Sequence, residues 1–169
     1  MKNIFLIGDS IRFGASANSD YNTSNSPGYG VYLEEMLRGK ANVYAPNDNC
    51  RFLQYTLRYL YDWTLNIDRE KIDIVHWNNG LWDVCNLFGD GLFTSEAEYV
   101  DNMLRIADIL VAKYDKVIFA TTTPVTIQDQ YNKNSDIEKY NALIVPLLNE
   151  KGIIINDLYQ LVSSDIDKY

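Results

Sequence analysis

Residues 3–10, which read Asn-Ile-Phe-Leu-Ile-Gly-Asp-Ser, constrain the fold of this chain most strongly. An apolar run that stops abruptly at Gly8 is typical of a buried strand followed by a tight turn. Open α/β sheets place their ligands at the carboxyl ends of such strands. We therefore expect Gly8 to bend the backbone and Ser10 to stand at the edge of the sheet. The alternative is that Asp9 and Ser10 only cap a helix or turn.

The rest of the chain alternates short apolar runs with segments of helical period. The polar stretch 11–28 predicts a loop beside the Ser10 turn. Further strands are predicted at 41–45, 74–77, 116–120 and 152–155, and helices at 30–38, 52–65, 95–113, 135–150 and from 158. Strands that alternate with helices predict a parallel, doubly wound sheet. We expect a single domain over residues 1–169 with three α/β/α layers, a flavodoxin-like five-stranded sheet and the strand order 2-1-3-4-5.

Composition excludes several classes of function. The 169 residues carry a net charge of −8, and Lys and Arg never form a block, so neither a nucleic acid nor an anionic membrane surface is an expected partner. No apolar run approaches the ~20 residues that a membrane-spanning helix needs. The two cysteines, Cys50 and Cys85, have no metal-ligand spacing, and the amino terminus does not read as a signal peptide, so we expect a cytoplasmic protein.

Cofactor chemistry is also not expected. Gly8-Asp9-Ser10 lacks the later glycines of a dinucleotide site. Acidic residues at strand ends can ligate a metal, but they serve equally well as caps, so we predict no metal and no cofactor. An uncovered sheet edge would favour self-association, which makes a homo-oligomer a further possibility.

Each predicted strand ends in polar residues. These are Asp9-Ser10, residues 47–49, Asn78-Asn79, residues 121–123 and Asn156-Asp157. Because the carboxyl ends of parallel strands meet at one edge of the sheet, these residues predict a ligand crevice there. The alternative is that Asn, Asp and Thr simply make turns at these positions.

In their order along the chain, these motifs resemble the SGNH, or GDSL-type, hydrolase superfamily. The resemblance rests on residues 8–11 (Gly-Asp-Ser-Ile), 45–52 (Ala-Pro-Asn-Asp-Asn-Cys-Arg-Phe), 76–81 (His-Trp-Asn-Asn-Gly-Leu), 122–124 (Thr-Thr-Pro) and 156–158 (Asn-Asp-Leu), and it covers nearly the whole chain. It implies hydrolysis of a small ester, with O-acetyl groups on carbohydrate as the first substrate to consider, through an acyl-serine on Ser10. A hydroxyl needs a neighbouring base, and the oxyanion that forms needs fixed hydrogen-bond donors.

The resemblance also implies where the oxyanion donors lie. They are the N–H of Ser10, a group in the turn after strand two, where Asn49 can replace the family's glycine, and an asparagine amide after strand three. Asn78 or Asn79 is the expected third donor, although an ungapped alignment places Trp82 at that position. An indole N–H from Trp82 therefore stays an alternative.

The expected base is missing from the sequence. The family carries it in an Asp-x-x-His segment after the fifth strand, and the only histidine here is His76, inside the third predicted strand. A partly buried strand residue is the simpler interpretation of His76. We therefore expect a truncated chain that lacks the His segment and the last helix, and that is at best a slow esterase. A non-catalytic domain that binds a small molecule or glycan on the same fold is the rival hypothesis.

Overall fold

The computed structural model describes residues 1–13, 27–67 and 70–166. Its strands are β1 (Lys2–Ile7), β2 (Ala41–Tyr44), β3 (Ile74–Asn78), β4 (Val117–Ala120) and β5 (Ile154–Asn156). Its helices are α1 (Ser10–Phe13), α2 (Tyr29–Leu37), α3 (Leu53–Ile67), α4 (Glu96–Lys113), α5 (Asn134–Glu150) and α6 (Leu158–Ser163).

The strands form one parallel sheet of order β2-β1-β3-β4-β5, which confirms the predicted fold class and strand order. In register, Phe5 pairs with Val75, and Val75 pairs with Val117. Side chains at paired positions of a parallel sheet lie on the same face. The sheet therefore stacks apolar side chains in rows across its central strands.

The larger core lies between one face of the sheet and helices α3, α4 and α5. It includes Phe5, Ile7, Val75, Trp77, Val117 and Phe119 from the sheet. Helix α4 meets it with buried side chains at a helical spacing, from Tyr99 through Met103 and Ile106 to Leu110. At its start, Ser95 and Glu98 form a capping box.

The opposite face of the sheet is less completely covered. Leu6 is fully buried there, and helix α2 reaches this face through a contact between Tyr29 and His76. Ile4, Ile74 and Ile118 on the same face are only partly buried, and Ile154 at the edge is exposed. The two faces therefore differ in how fully the chain buries them.

The predicted loop at 11–28 is wrong at its start, where Ser10–Phe13 form a short helix, and right at its end, since α2 begins at Tyr29. Residues 14–26 lie outside the described part of the chain. Within the described ranges, no helix combines the length and the apolar character needed to cross a membrane.

Candidate active site

Ser10 is the first residue of helix α1, directly after the turn that ends β1. The Asp9 carboxylate accepts a hydrogen bond from the N–H of Ile11 at 2.9 Å, and the Asp9 carbonyl accepts from the N–H groups of Arg12 and Phe13. The first N–H groups of a helix have no partner within it. Among the described residues no partner of the Ser10 N–H is found, so this group can face a ligand, and the half-buried side chain of Ser10 lies at the same edge of the sheet.

The turn after β2 is docked on the end of β1. The N–H of Gly8 donates to Cys50 Sγ at 3.3 Å, and the N–H of Cys50 donates to the Gly8 carbonyl at 3.1 Å. Cys50 is fully buried, and burial raises the pKa of its thiol to about 11, so the thiol is neutral and packs as an apolar group. These two hydrogen bonds fix the turn after β2 beside Ser10.

The buried side chain of Arg12 links the end of β1 to the turn after β2. Its guanidinium donates to the carbonyls of Pro46 (3.1 Å), Asp48 and Gly8 (3.4 Å). The side chain is only 4% exposed, so this buried cation is compensated mainly by carbonyl dipoles. The packing is close, since a Cβ on Gly8 would lie 2.7 Å from Arg12 Cβ. Sequence reasoning missed Arg12, because an arginine beside a polar stretch usually lies in solvent.

Asn49 lies in this turn and is half-buried. Its Oδ1 accepts a hydrogen bond from the N–H of Arg51 at 2.9 Å, which supports the left-handed backbone of Arg51 (φ +48°). No hydrogen bond from Asn49 Nδ2 is found within the described ranges. Its amide N–H groups can therefore face a ligand while its oxygen holds the turn.

The prediction required the amide of Asn78 or Asn79 to be accessible to a ligand, but both side chains are buried. Asn79 is fully buried; its Oδ1 accepts from Trp77 Nε1 (2.7 Å) and Thr56 Oγ1 (3.1 Å), and its Nδ2 donates to the Arg51 carbonyl. Asn78 is also buried, and its Nδ2 donates to the Ala120 carbonyl of β4. Both side chains hold strand ends together, so we withdraw them as oxyanion donors.

The turn after β3 instead presents Trp82. Gly80 has a φ of +136°, and a Cβ there would lie 2.3 Å from Thr122 Oγ1, so this position requires glycine. Two residues further on, the Trp82 side chain is 40% exposed. Its indole N–H makes no hydrogen bond with another residue in the described segments. Trp82 is therefore the donor-bearing side chain that this turn leaves accessible.

Asp83 anchors the turn after β3 to the rest of the site. Its buried carboxylate accepts hydrogen bonds from the N–H of Leu53 and from Thr94 Oγ1, the latter at 2.8 Å. Burial raises its pKa to about 7, and burial also raises the pKa of Asp9 to about 6. The negative charge of Asp9 contributes to the shift at Asp83, so the two carboxyls disfavour each other's ionisation.

His76 points to the less covered face of the sheet. Its Nδ1 lies 3.3 Å from the Tyr29 hydroxyl, and its Nε2 lies 3.3 Å from Asn156 Nδ2. Burial lowers its pKa to about 4, so the ring is neutral at pH 7 and a weak base. Both ring nitrogens are thus within hydrogen-bond distance of other side chains.

The ends of β4 and β5 form a separate set of contacts. Asp157 caps α6 by accepting from the N–H of Gln160, and it also accepts from Thr121 Oγ1 at 3.0 Å. Thr121 Oγ1 in turn accepts from the N–H of Tyr159. Within residues 1–13, 27–67 and 70–166, no three His, Cys, Asp or Glu side chains meet in a way that could hold a metal ion.

With a parallel sheet of order 2-1-3-4-5, helices on both faces and a serine directly after its first strand, the chain has the fold of the SGNH, or GDSL-type, hydrolases. A lipase/acylhydrolase from Enterococcus faecalis superposes with a TM-score of 0.75 at 18% identity, over 97% of this chain and 80% of that one. The acetyl xylan esterase AlAXEase gives 0.74 at 17%, over 98% and 82%. A Parabacteroides merdae protein that is named as a GDSL-like lipase gives 0.72 at 15%, over 99% and 82%.

At the level of sequence, no family model matches the chain, and no curated protein does either. The similarity to the solved structures is therefore a similarity of fold. The chemistry of the chain has to be argued from the residues of the candidate site.

Proposed function

We propose that this protein is a serine ester hydrolase with Ser10 as its nucleophile. The observation that carries the proposal is the position of Ser10. It is a half-buried serine at the start of a helix, beside a docked turn that bears Asn49 and in a fold shared with esterases and lipases. A hydroxyl with an available N–H in the same residue is suited to attack a carbonyl and to hold the oxygen that becomes negative.

The proposed reaction has two steps. A base removes the proton from Ser10 Oγ while the oxygen attacks the ester carbonyl carbon, and the oxyanion is held by the N–H of Ser10, Asn49 Nδ2 and Trp82 Nε1. The carbonyl re-forms, and the alcohol leaves with the proton from the base. Water then attacks the acyl-serine with the help of the same base and releases the acid and free Ser10.

His76 is poorly suited to act as this base. Burial lowers its pKa to about 4, so the neutral ring is too weak a base to accept a proton readily at pH 7, and Tyr29 and Asn156 already contact its ring nitrogens. Since the sequence contains no other histidine, we propose that an imidazole from outside these 169 residues, in an Asp-x-x-His segment, activates Ser10. Without it, catalysis would fall back on the oxyanion donors and on binding.

Small acyl esters are the proposed substrates, with acetyl esters of carbohydrate first, because structures named as acetyl xylan esterases share this fold. A second function is favoured by the environment of His76, which leaves the chain without an evident base. This is a non-catalytic domain that binds a small molecule or a glycan in the same crevice.

Covalent labelling separates the two functions. The purified chain is treated with a fluorophosphonate probe, with and without free imidazole, alongside Ser10→Ala and the control Ser164→Ala, which changes an exposed serine of the last turn. The hydrolase predicts labelling that increases with imidazole, is lost in Ser10→Ala and is unchanged in Ser164→Ala. If no condition labels Ser10 in a folded protein, the binding function is favoured.

A further inference from the structure

An apolar pocket lies between the turns after β2 and β3 and a loop that precedes α4. Its volume is about 240 Å³, and the residues that form most of its wall are Phe52, Leu81, Trp82, Leu87, Phe93 and Asn132. Apart from Asn132, these side chains are apolar or aromatic. Pockets of this composition bind the apolar parts of ligands.

Hydrogen bonds and ring contacts hold the pocket in shape. The rings of Phe52 and Phe93 pack with their centroids 4.9 Å apart. The backbone of the loop is fixed at both ends, since the N–H of Phe93 donates to the Cys85 carbonyl at 2.9 Å and the N–H of Asn86 donates to the Tyr131 carbonyl at 2.8 Å. The pocket is thus formed without a ligand, so binding would cost little ordering of the wall.

The pocket keeps large apolar side chains accessible to water. Phe93 is 52% exposed, Leu87 50% and Trp82 40%. One exposed apolar residue needs no explanation, but several around a concave surface mark a binding site. Phe93, Leu87 and Trp82 lie outside the buried core among α3, α4 and α5, so core packing does not explain their grouping.

The pocket walls are continuous with the candidate active site. Phe52 follows Arg51 in the turn that also holds Asn49, and the Arg51 carbonyl accepts from Asn79 in the turn after β3. Trp82 both lines the pocket and supplies a proposed oxyanion donor. The pocket therefore lies beside the turns that carry Asn49 and Trp82, where the ester carbonyl is proposed to bind.

The size of the pocket limits its occupant. A buried apolar cavity of about 150 Å³ is large enough for benzene, whereas sites for whole drug-sized ligands begin at about 300 Å³. The pocket falls between the two, so it fits one six-membered ring or a short branched chain.

We propose that this pocket binds a benzene-sized apolar ring of the ester substrate. The proposal extends the proposed function from small acyl esters to esters with an aromatic ring on either the alcohol or the acyl side. It rests on that function for the identity of the ligand as an ester, but the binding itself does not require Ser10 to react.

Binding is tested first by ligand-observed NMR titration with phenol, toluene and D-xylose. We expect saturable binding of phenol and of toluene and none of D-xylose. Leu87→Ala should weaken phenol binding at least fivefold, because it removes part of the wall. Phe88→Ala is the matched control, since Phe88 is the next residue, is 88% exposed and does not line the pocket; it should change binding less than twofold.

Three results would overturn the proposal. These are no saturable phenol binding, equal weakening by Leu87→Ala and Phe88→Ala, or D-xylose binding as strong as that of phenol. Circular dichroism of each variant checks that it is folded. If Leu87→Ala does not fold, Phe93→Ala serves the same purpose from the opposite wall and must weaken phenol binding by a similar factor.

The position of the ring in the ester is tested next, with imidazole present. Phenyl acetate carries its ring on the alcohol side and methyl benzoate on the acyl side. The ester for which kcat/KM falls in Leu87→Ala, but not in Phe88→Ala, identifies the side. The proposal would be overturned if both esters are turned over and neither Leu87→Ala nor Phe88→Ala changes kcat/KM for either of them. Intact phenol binding in wild type and Ser10→Ala, with no turnover under any condition, would refute the ester hydrolase and leave the pocket as a binding site.

Discussion

The two sides of the strand-end crevice are built differently. On the Ser10 side, the turns after β1, β2 and β3 are joined by buried contacts of Arg12, Cys50, Asn79 and Asp83. On the β5 side, Asn156 and Asp157 are exposed, and their contacts serve α6 and His76. Within the described residues, buried contacts thus fix the turns that carry the proposed nucleophile and oxyanion donors, whereas the one histidine of the sequence, His76, contacts Tyr29 and Asn156 instead.

This difference makes the two halves of the proposed mechanism separable. If the Ser10 side is complete, a base supplied in solution should restore turnover. If the Ser10 side depends on the β5 side for its geometry, an added base should have no effect.

The largest effect is expected from free imidazole. General-base catalysis typically contributes about 10²–10⁴-fold, and a mobile base should recover part of that range. We expect p-nitrophenyl acetate turnover to rise with the concentration of neutral imidazole, after subtraction of the rate measured with Ser10→Ala, which removes the reaction of imidazole itself. His76→Gln should leave the rescued rate unchanged. A large loss in folded His76→Gln would show instead that the β5 side supplies the base.

The next effect concerns the oxyanion donor of the β2 turn. Asn49→Asp keeps an oxygen for the N–H of Arg51 but replaces the amide donor with a carboxylate. Loss of one such donor typically costs about 10²–10³-fold in kcat. We expect a fall of that order in the imidazole-rescued kcat with an unchanged melting temperature. Unaltered kcat would remove Asn49 from the site, whereas a lower melting temperature would mean that the turn itself had changed.

The β3 turn can be tested through two glycines that both have positive φ. Gly80 (φ +136°) faces Thr122 Oγ1, whereas an added Cβ on Gly39 (φ +77°) meets no atom within 4 Å. Gly39→Ala should therefore lower the free energy of unfolding by about 1 kcal/mol, the cost of backbone strain alone. Gly80→Ala adds a severe overlap and should cost about 3 kcal/mol or more. Urea denaturation measures both, and equal losses would contradict the close packing around Gly80.

The smallest effect is a dependence of stability on pH. The pKa of Asp83 is raised to about 7, so the folded protein binds more protons than the unfolded chain, and stability should fall as the pH rises from 6.5 to 8. The expected loss is about 1 kcal/mol. Asp9 loses its contribution mainly below this window, near its pKa of about 6. His76 acts in the opposite direction, because its lowered pKa costs stability only as the pH falls below about 6.5.

Urea denaturation at pH 6.5 and pH 8 measures this dependence in wild type and in Asp83→Asn. The variant should be nearly flat between the two values, since its side chain does not titrate. An equal slope in both proteins would mean that another group accounts for it.

The sequence predicted the sheet because its strands are apolar runs of suitable length that alternate with helical segments. The same pattern placed Ser10 correctly at the end of β1, since a glycine ends the apolar run there. The polar residues that follow each strand predicted a crevice at this edge of the sheet. These are features of local composition, and they need no knowledge of tertiary contacts.

The individual roles at the crevice could not be predicted in the same way. Asn79 has the same side chain as Asn49, and only the approach of Trp77, Thr56 and the Arg51 carbonyl makes it a structural residue. The burial of Arg12 likewise depends on where the β2 turn docks. Such contacts join residues that are distant in sequence, so a single sequence carries no signal for them.

The most direct test of the account is to find which residue carries the acyl group. The chain is incubated with p-nitrophenyl acetate and imidazole, quenched in acid and digested with trypsin, which releases residues 3–12 as a peptide whose only serine is Ser10. The account predicts acetylation of Ser10 in this peptide and its loss in Ser10→Ala. Turnover above the Ser10→Ala rate with acetyl groups found only on other residues would contradict it.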